Sequence, residues 1–472
     1  MQFMEPLEFI VRAGPHARVA CPVWVQLPVP PAPAPTLRLF DDVGNEIPCQ
    51  SETSGVSADE RLLLAFIVRD LEAHASRRYR LETGPPIAPV VEDVPPEANS
   101  AEAVAGPPDA ASVVEVVPGA DAQASGALAG AETSPVRGED ASTVEAVEDA
   151  PDQAVEVPRV PREKLPGVAL TELPDGELAI DIEGDHFTSY RFSADGQRPY
   201  FHPLVGPTGQ SVTRAFPMEE GIEGETSDHP HHRGMWTAHG DLNGHDNWLE
   251  GYGKATIRHS GFSRLVSGPV YGSFDAGSEW IDRWGSIAMT DTRRVTVFNV
   301  GPNERLVEYS VRFSASHGQV TMGDTKEAGI VAIRVATSMD GPTKANPDGA
   351  GRIETSDGAI GEDEAWGRRA SWCDYSGPVA GHVVGVAIMD HPTNPRFPTH
   401  WHVRNYGLMT VNPFGLHDFY GDTDAHRGDF IIPPYESRVF RYRILIHRGD
   451  VVAGSVRDRY HDFANPPTVE LC

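Results

Sequence analysis

From residue 166 to residue 465 the chain breaks into short runs of alternating apolar and polar residues, and no stretch carries the period of a long amphipathic helix. Phe440, Tyr442, Ile444 and Ile446 fall on one side of such a run, with Arg441 and Arg443 on the other. ELAIDIEG, HFTSYRFS, RRVTVFNV, RLVEYSVRFSAS, GIVAIRVATSM and HVVGVAIMD read as further strands. Strands in such number, with few helices between them, predict a large antiparallel β-supersandwich rather than an α/β barrel.

The N-terminal residues 1–84 read as a small β-sandwich of five or six strands separated by Pro, Gly, Asp and Asn turn signals. Residues 85–165 change character. They are rich in Pro, Ala and Glu, and from Pro85 to Pro158 there are 15 acidic residues and one basic, Arg137. No aromatic residue lies between Tyr79 and Phe187. Such a segment has too little apolar surface to offset its ordering entropy, which predicts a disordered, self-repelling linker. The expected fold class is therefore all-β: small sandwich, acidic linker, supersandwich over 166–465, and a tail over 466–472.

The formal net charge of −29 repels phosphate backbones and anionic lipid, so nucleic acid and membranes are not expected partners. No apolar run approaches the roughly 20 residues needed to span a bilayer, and the first residues lack the pattern of a secretory signal. Cys21, Cys49, Cys373 and Cys472 are scattered without a CxxC pair, as free thiols are. These features predict a cytoplasmic protein.

Chemistry-bearing residues concentrate in GETSDHPHHRGMWTAHGDLNGHDNW, Gly224 to Trp248, which holds five of the chain's 19 histidines. Its Gly, Asn and Pro content reads as loop and strand ends, where function tends to sit on a β scaffold. A lone histidine in a β protein is usually a hydrogen-bonded structural residue, and Tyr375, His382 and His391 are read that way. The density of this patch, with Glu225, Asp228, Asp241, Asp246 and Arg233 among the histidines, argues for a site. His400-Trp401-His402 and the turn MGDTKEAG, with Asp324, Lys326 and Glu327, are further candidates.

Two chemistries want this inventory. Histidine–carboxylate pairs serve as general acid and base near neutral pH. Trp236, Trp248, Trp401, Tyr406, Arg233, Asn243, Arg404 and Asn412 could supply the flat rings and forked polar groups that hold a sugar. Alternatively, the histidines and Asp241 could bind a divalent metal, although no HExxH or Cys/His framework accompanies them.

The long histidine motif, with GDTKEAG, WHVRNYGLMTVNPFG and IPPYESRVFRYRILIH, resembles the bacterial family labelled methane oxygenase PmoA, over roughly residues 168–465. That label names a membrane enzyme, and this chain has no spanning run. The later motifs are similar to those of galactose-mutarotase-like supersandwiches. The resemblance implies a large antiparallel sandwich that holds a sugar on a concave face with histidine and carboxylate groups, and a place in carbohydrate catabolism.

The expected activity is acid–base chemistry on a sugar or glycoside by hydrolysis, elimination or epimerisation. A non-catalytic sugar-binding protein and a metal-dependent enzyme are the alternatives. His232 and His239 are the expected proton carriers, Asp241 or Asp246 their orienting carboxylate, and Glu327 the second carboxylate across the cleft. Arg233, Trp236, Asn243, Trp248, His400, Arg404 and Asn412 are the expected substrate contacts. The expected partner is a small-molecule carbohydrate; no cofactor is expected, and a divalent metal is possible.

Overall fold

The computed structural model describes residues 6–28, 36–54, 61–84 and 164–472. The expected linker, residues 85–165, lies outside the described residues except for Lys164 and Leu165. The described residues form antiparallel sheets joined by loops, with few and short helices, as the alternation predicts.

Two eight-stranded sheets form the large sandwich. The first runs in the order Trp401–Arg404, Leu408–Val411, Ala328–Arg334, Met235–His239, Tyr200–Phe201, Asp185–Arg191, Glu177–Ile182, Val168–Leu173. The second runs Thr256–Val266, Tyr271–Ile281, Ile287–Phe298, Glu304–Ser314, Ser437–Arg448, His382–Asp390, Trp372–Val379, Arg352–Thr355. Strand alternation sends Ile180, Met235, Ile333 and Val411 of the first sheet, and Val295, Val311, Phe440 and Ile444 of the second, into one shared core.

The outer faces differ. On the second sheet, Tyr271, Phe298, Leu306, Met389 and Leu445 pack against Ala20, Ala65 and Ile67 of the N-terminal sandwich and against the helix Val456–Ala464. Gln50 reinforces this contact by accepting the backbone N–H groups of Val270 and Tyr271. On the first sheet, the outer face carries a small aromatic patch of Trp236, Ala238, Trp248, Ala332 and Leu408. That patch lies beneath the histidine motif.

The N-terminal sandwich pairs a three-stranded sheet, Arg18–Pro28, Arg61–Leu71 and Cys49–Ser54, with a five-stranded one. The fifth strand of the latter is Thr468–Leu471, which adds to the edge strand Leu7–Arg12 in the register Phe9–Leu471 and Arg12–Thr468. Residues 466–472, read from sequence as a tail, thus include a strand of the N-terminal sheet. The physical reason is an open edge: Leu7–Arg12 has one neighbour within its own sandwich and unpaired backbone groups on the other side. All four cysteines are free; Cys21 and Cys373 are buried, Cys49 half-buried and Cys472 exposed.

Candidate functional site

The motif splits at Gly234. Before it, residues 224–233 form a loop over the outer face of the first sheet; after it, the chain enters the strand Met235–His239. Gly234 has φ +55°, and a Cβ there would collide with the Phe201 carbonyl, so the turn requires glycine. In the strand that follows, Met235 points to the inter-sheet core, and Thr237 bonds the Tyr309 hydroxyl at 2.7 Å. Trp236 points outward and becomes the base of the site.

On that base the loop stacks its rings. Tyr406 lies 5.0 Å from His229, His229 lies 4.8 Å from His232, and His232 lies 5.2 Å from Trp236, with interplanar angles of 11°, 8° and 24°. His231 stands edge-on to His232 at 4.5 Å. The stack is fixed by Asp228, whose Oδ1 accepts from Arg214 at 2.6 Å and Arg334 at 2.7 Å, and whose Oδ2 accepts from His229 at 2.6 Å. Burial works against the Asp228 charge, but His229, Arg334 and Arg214 outweigh it and hold the carboxyl well below the usual range. Arg334 also donates to His232 Nδ1 at 3.2 Å. Burial, with His231 and Arg334 nearby, drives His232 far toward its neutral form.

A second group converges from the other side. Glu327, in the turn before the strand Ala328–Arg334, accepts from Lys326 Nζ at 2.8 Å and remains 41% exposed. Burial works to raise its pKa, but Lys326, His402 and His231 outweigh that and hold it below the usual carboxylate range. His402 donates from Nδ1 to the Lys326 carbonyl at 2.6 Å, which leaves Nε2 to accept from Arg404 at 3.3 Å. Burial lowers the pKa of both His231 and His402 to about 4, so both are neutral at pH 7. Arg404 bonds Glu362 at 2.7 Å, and Arg233 is gripped by Glu250 through Nε at 3.0 Å and a terminal nitrogen at 2.9 Å. Both guanidiniums stay 29% exposed, held in place yet open to a ligand.

Of the residues singled out from sequence, the structure brings together Asp228, His232, Arg233, Trp236, Trp248, Lys326, Glu327, His402, Arg404 and Tyr406. Within that group Trp236 and Trp248 lie buried and packed on each other at 5.5 Å, so they support the site from below. The remaining residues organise loops. His239 is fully buried against Phe414 of the core, bonds the Gly323 carbonyl at 3.1 Å, and is lowered by burial to about 4. Asp241 accepts the Gly244 N–H at 2.8 Å, and Asn243 the Thr321 N–H at 2.7 Å. Asp246 accepts the N–H groups of Trp248 and Leu249 and pairs with Lys254 at 2.8 Å. Asn412, fully buried, gives its amide to the Thr325 and Lys326 carbonyls and accepts from Phe414 and Gly415. It thereby shapes the turn that presents Glu327. His400 bonds the Tyr420 hydroxyl at 2.9 Å.

Sequence reasoning passed over Arg214, Glu250, Arg334 and Glu362, and left His231 without a role. The pairs Arg334–Asp228 and Arg404–Glu362 are separated by 106 and 42 positions, so no local spacing announces them. Arg334 did leave a trace, as a charge ending the otherwise apolar strand AGIVAIR. Asp340, 6% exposed and raised by burial to about 6 against the opposing pull of Arg334, is a further buried acid beside this network. Among the described residues, no group of three or more His, Cys, Asp or Glu side chains is placed to share a metal ion.

Comparison with known proteins returns no matching curated protein. Among solved structures, the crystal structure of a GalM/aldose epimerase homologue from C. elegans matches at 11% identity, covering 60% of this chain and 98% of that one, with a TM-score of 0.23. The sequence model of a family of unknown function, DUF6807, matches residues 177–461, a span that takes in the ring stack, Glu327 and Arg404. The chain belongs to the DUF6807 family.

Proposed function

We propose that the outer face of the first sheet binds a sugar or glycoside and carries out acid–base chemistry on it, with Glu327 as the base. The observation that carries this reading is the position of Glu327: an ionised, partly exposed carboxylate beside His231 and His402 and paired with Lys326. A carboxylate held below its usual pKa is ionised throughout the neutral range and ready to take a proton from a hydroxyl or an activated C–H. Arg404 and Arg233, steadied by Glu362 and Glu250, are donors for hydroxyls and for an oxyanion that develops as the proton leaves. His231, half-buried and neutral, faces Glu327 as the second proton-transfer group. His232, expected as a proton carrier, acts instead as a positioning residue, because Arg334 occupies its Nδ1 and burial keeps it neutral. The motif resemblance to mutarotase-like supersandwiches leads to the same substrate class.

The test is a panel of aldoses and glycosides followed by proton NMR with the wild type and with Glu327→Gln. Turnover of at least one sugar is expected, falling about 10²–10⁴-fold in the variant with an unchanged melting temperature. Full turnover in folded Glu327→Gln would remove the base from this position. Binding of a sugar without any turnover would make the protein a sugar-binding module.

A further inference from the structure

A cleft of about 330 Å³ opens on the outer face of the second sheet, on the opposite side of the sandwich from the ring stack. Its floor is a rank of cross-strand neighbours, Asp275, Arg294, Ser310 and Arg441, on four adjacent strands. Ser310 is short and sits between two arginines, so the long side chains on either side overhang a depression. Arg312, two residues along the same strand, borders it, and Phe463 from the helix Val456–Ala464 supplies an apolar wall.

The charges here are unevenly matched. Arg294 is tied to Asp275 by two bonds of 2.7 and 2.6 Å, and Arg443 to Glu308. Among the described residues the Arg312 guanidinium donates only to the Ser437 hydroxyl at 3.1 Å, and neither Arg312 nor Arg441 has a carboxylate within ion-pair distance. Both are exposed. In a chain of net charge −29, this face therefore presents two guanidiniums without carboxylate partners among the described residues, beside a concave, hydroxyl-bearing floor. A solvated strand face of an acidic protein would be expected to place carboxylates opposite such cations. The volume lies at the lower end of small-ligand sites and matches a single sugar-sized molecule.

We propose that this cleft is a second ligand site for a small polyhydroxylated anion, a sugar acid or a sugar phosphate. Arg312 and Arg441 would hold the oxyanion, Ser310 and Thr292 would meet hydroxyls, and Phe463 would pack against the carbon skeleton. The inference does not depend on the reaction assigned to the other face.

The experiment is calorimetric titration of the full chain with glucuronate, glucose 6-phosphate, inorganic phosphate and glucose. The wild type and Arg312→Ala/Arg441→Ala are compared. Binding of at least one charged sugar is expected, weakening with added salt, with glucose at least tenfold weaker. The double arginine variant should lose at least tenfold in affinity at an unchanged melting temperature. Equal binding of inorganic phosphate and the charged sugars would overturn the sugar assignment. Undiminished binding by the arginine variant, or no binding of either charged sugar at millimolar concentration, would overturn the site.

Discussion

Asp228 shows how much of this site rests on one carboxylate. Two guanidiniums, Arg214 and Arg334, are fully buried, and both use the same Asp228 oxygen. Replacing Asp228 with Asn removes the one carboxylate that both buried cations bond. A loss of about 2–3 kcal/mol is expected in urea unfolding, less than for an enclosed pair because Asp228 itself is 40% exposed. The ring stack should loosen with it, and sugar binding should weaken. Glu327 makes a different kind of prediction. With the base held below the usual carboxylate range and His231 at about 4, kcat/KM should be flat from about pH 5 to 8 and fall only in more acidic solution. A half-maximal point near 6.5 in the pH profile would instead point to a histidine with an ordinary pKa as the base.

At the scale of elements, period-two alternation was the legible signal, and it located strands such as Glu304–Ser314 and Ser437–Arg448, each with one face in the core. The histidine motif was legible too, because its residue types are dense in one segment. Its division was not. Residues 224–234 turn toward the ring stack, whereas His239, Asp241, Asn243 and Asp246 serve the turn that meets Thr321 and Met322, and only the three-dimensional path separates them. Nor could alternation show that Thr468–Leu471 crosses to the N-terminal sheet, since strand partners are set by edges distant in sequence. Deleting residues 466–472 should remove the Arg12–Glu470 pair and the packing of Val469 and reopen the edge of Leu7–Arg12. A drop of a few degrees in melting temperature is expected, with turnover per folded molecule unchanged. A loss of turnover would tie the N-terminal sheet to the site directly.

Across the whole molecule, burial neutralises histidines on a scale that fixes how the protein responds to acid. His202, His231, His239, His259, His400 and His402 are each lowered to about 4, with burial the largest cause. In the unfolded chain these groups take up protons near 6.5, so the unfolded state binds more protons than the folded state between about pH 6.5 and 4. Their contribution to stability is complete above pH 6.5 and is lost as pH falls toward 4. Melting temperature should therefore decline steeply over that window; a protein equally stable at pH 7 and pH 4.5 would show that these imidazoles are not buried in neutral form. The outer face of the first sheet is proposed as the place where a sugar reacts. The most direct measurement is a crystal structure of the full chain carrying Glu327→Gln with a sugar that the wild type turns over. The sugar ring is expected within hydrogen-bond distance of position 327 and Arg404; a sugar bound elsewhere, with that face unoccupied, would overturn this assignment.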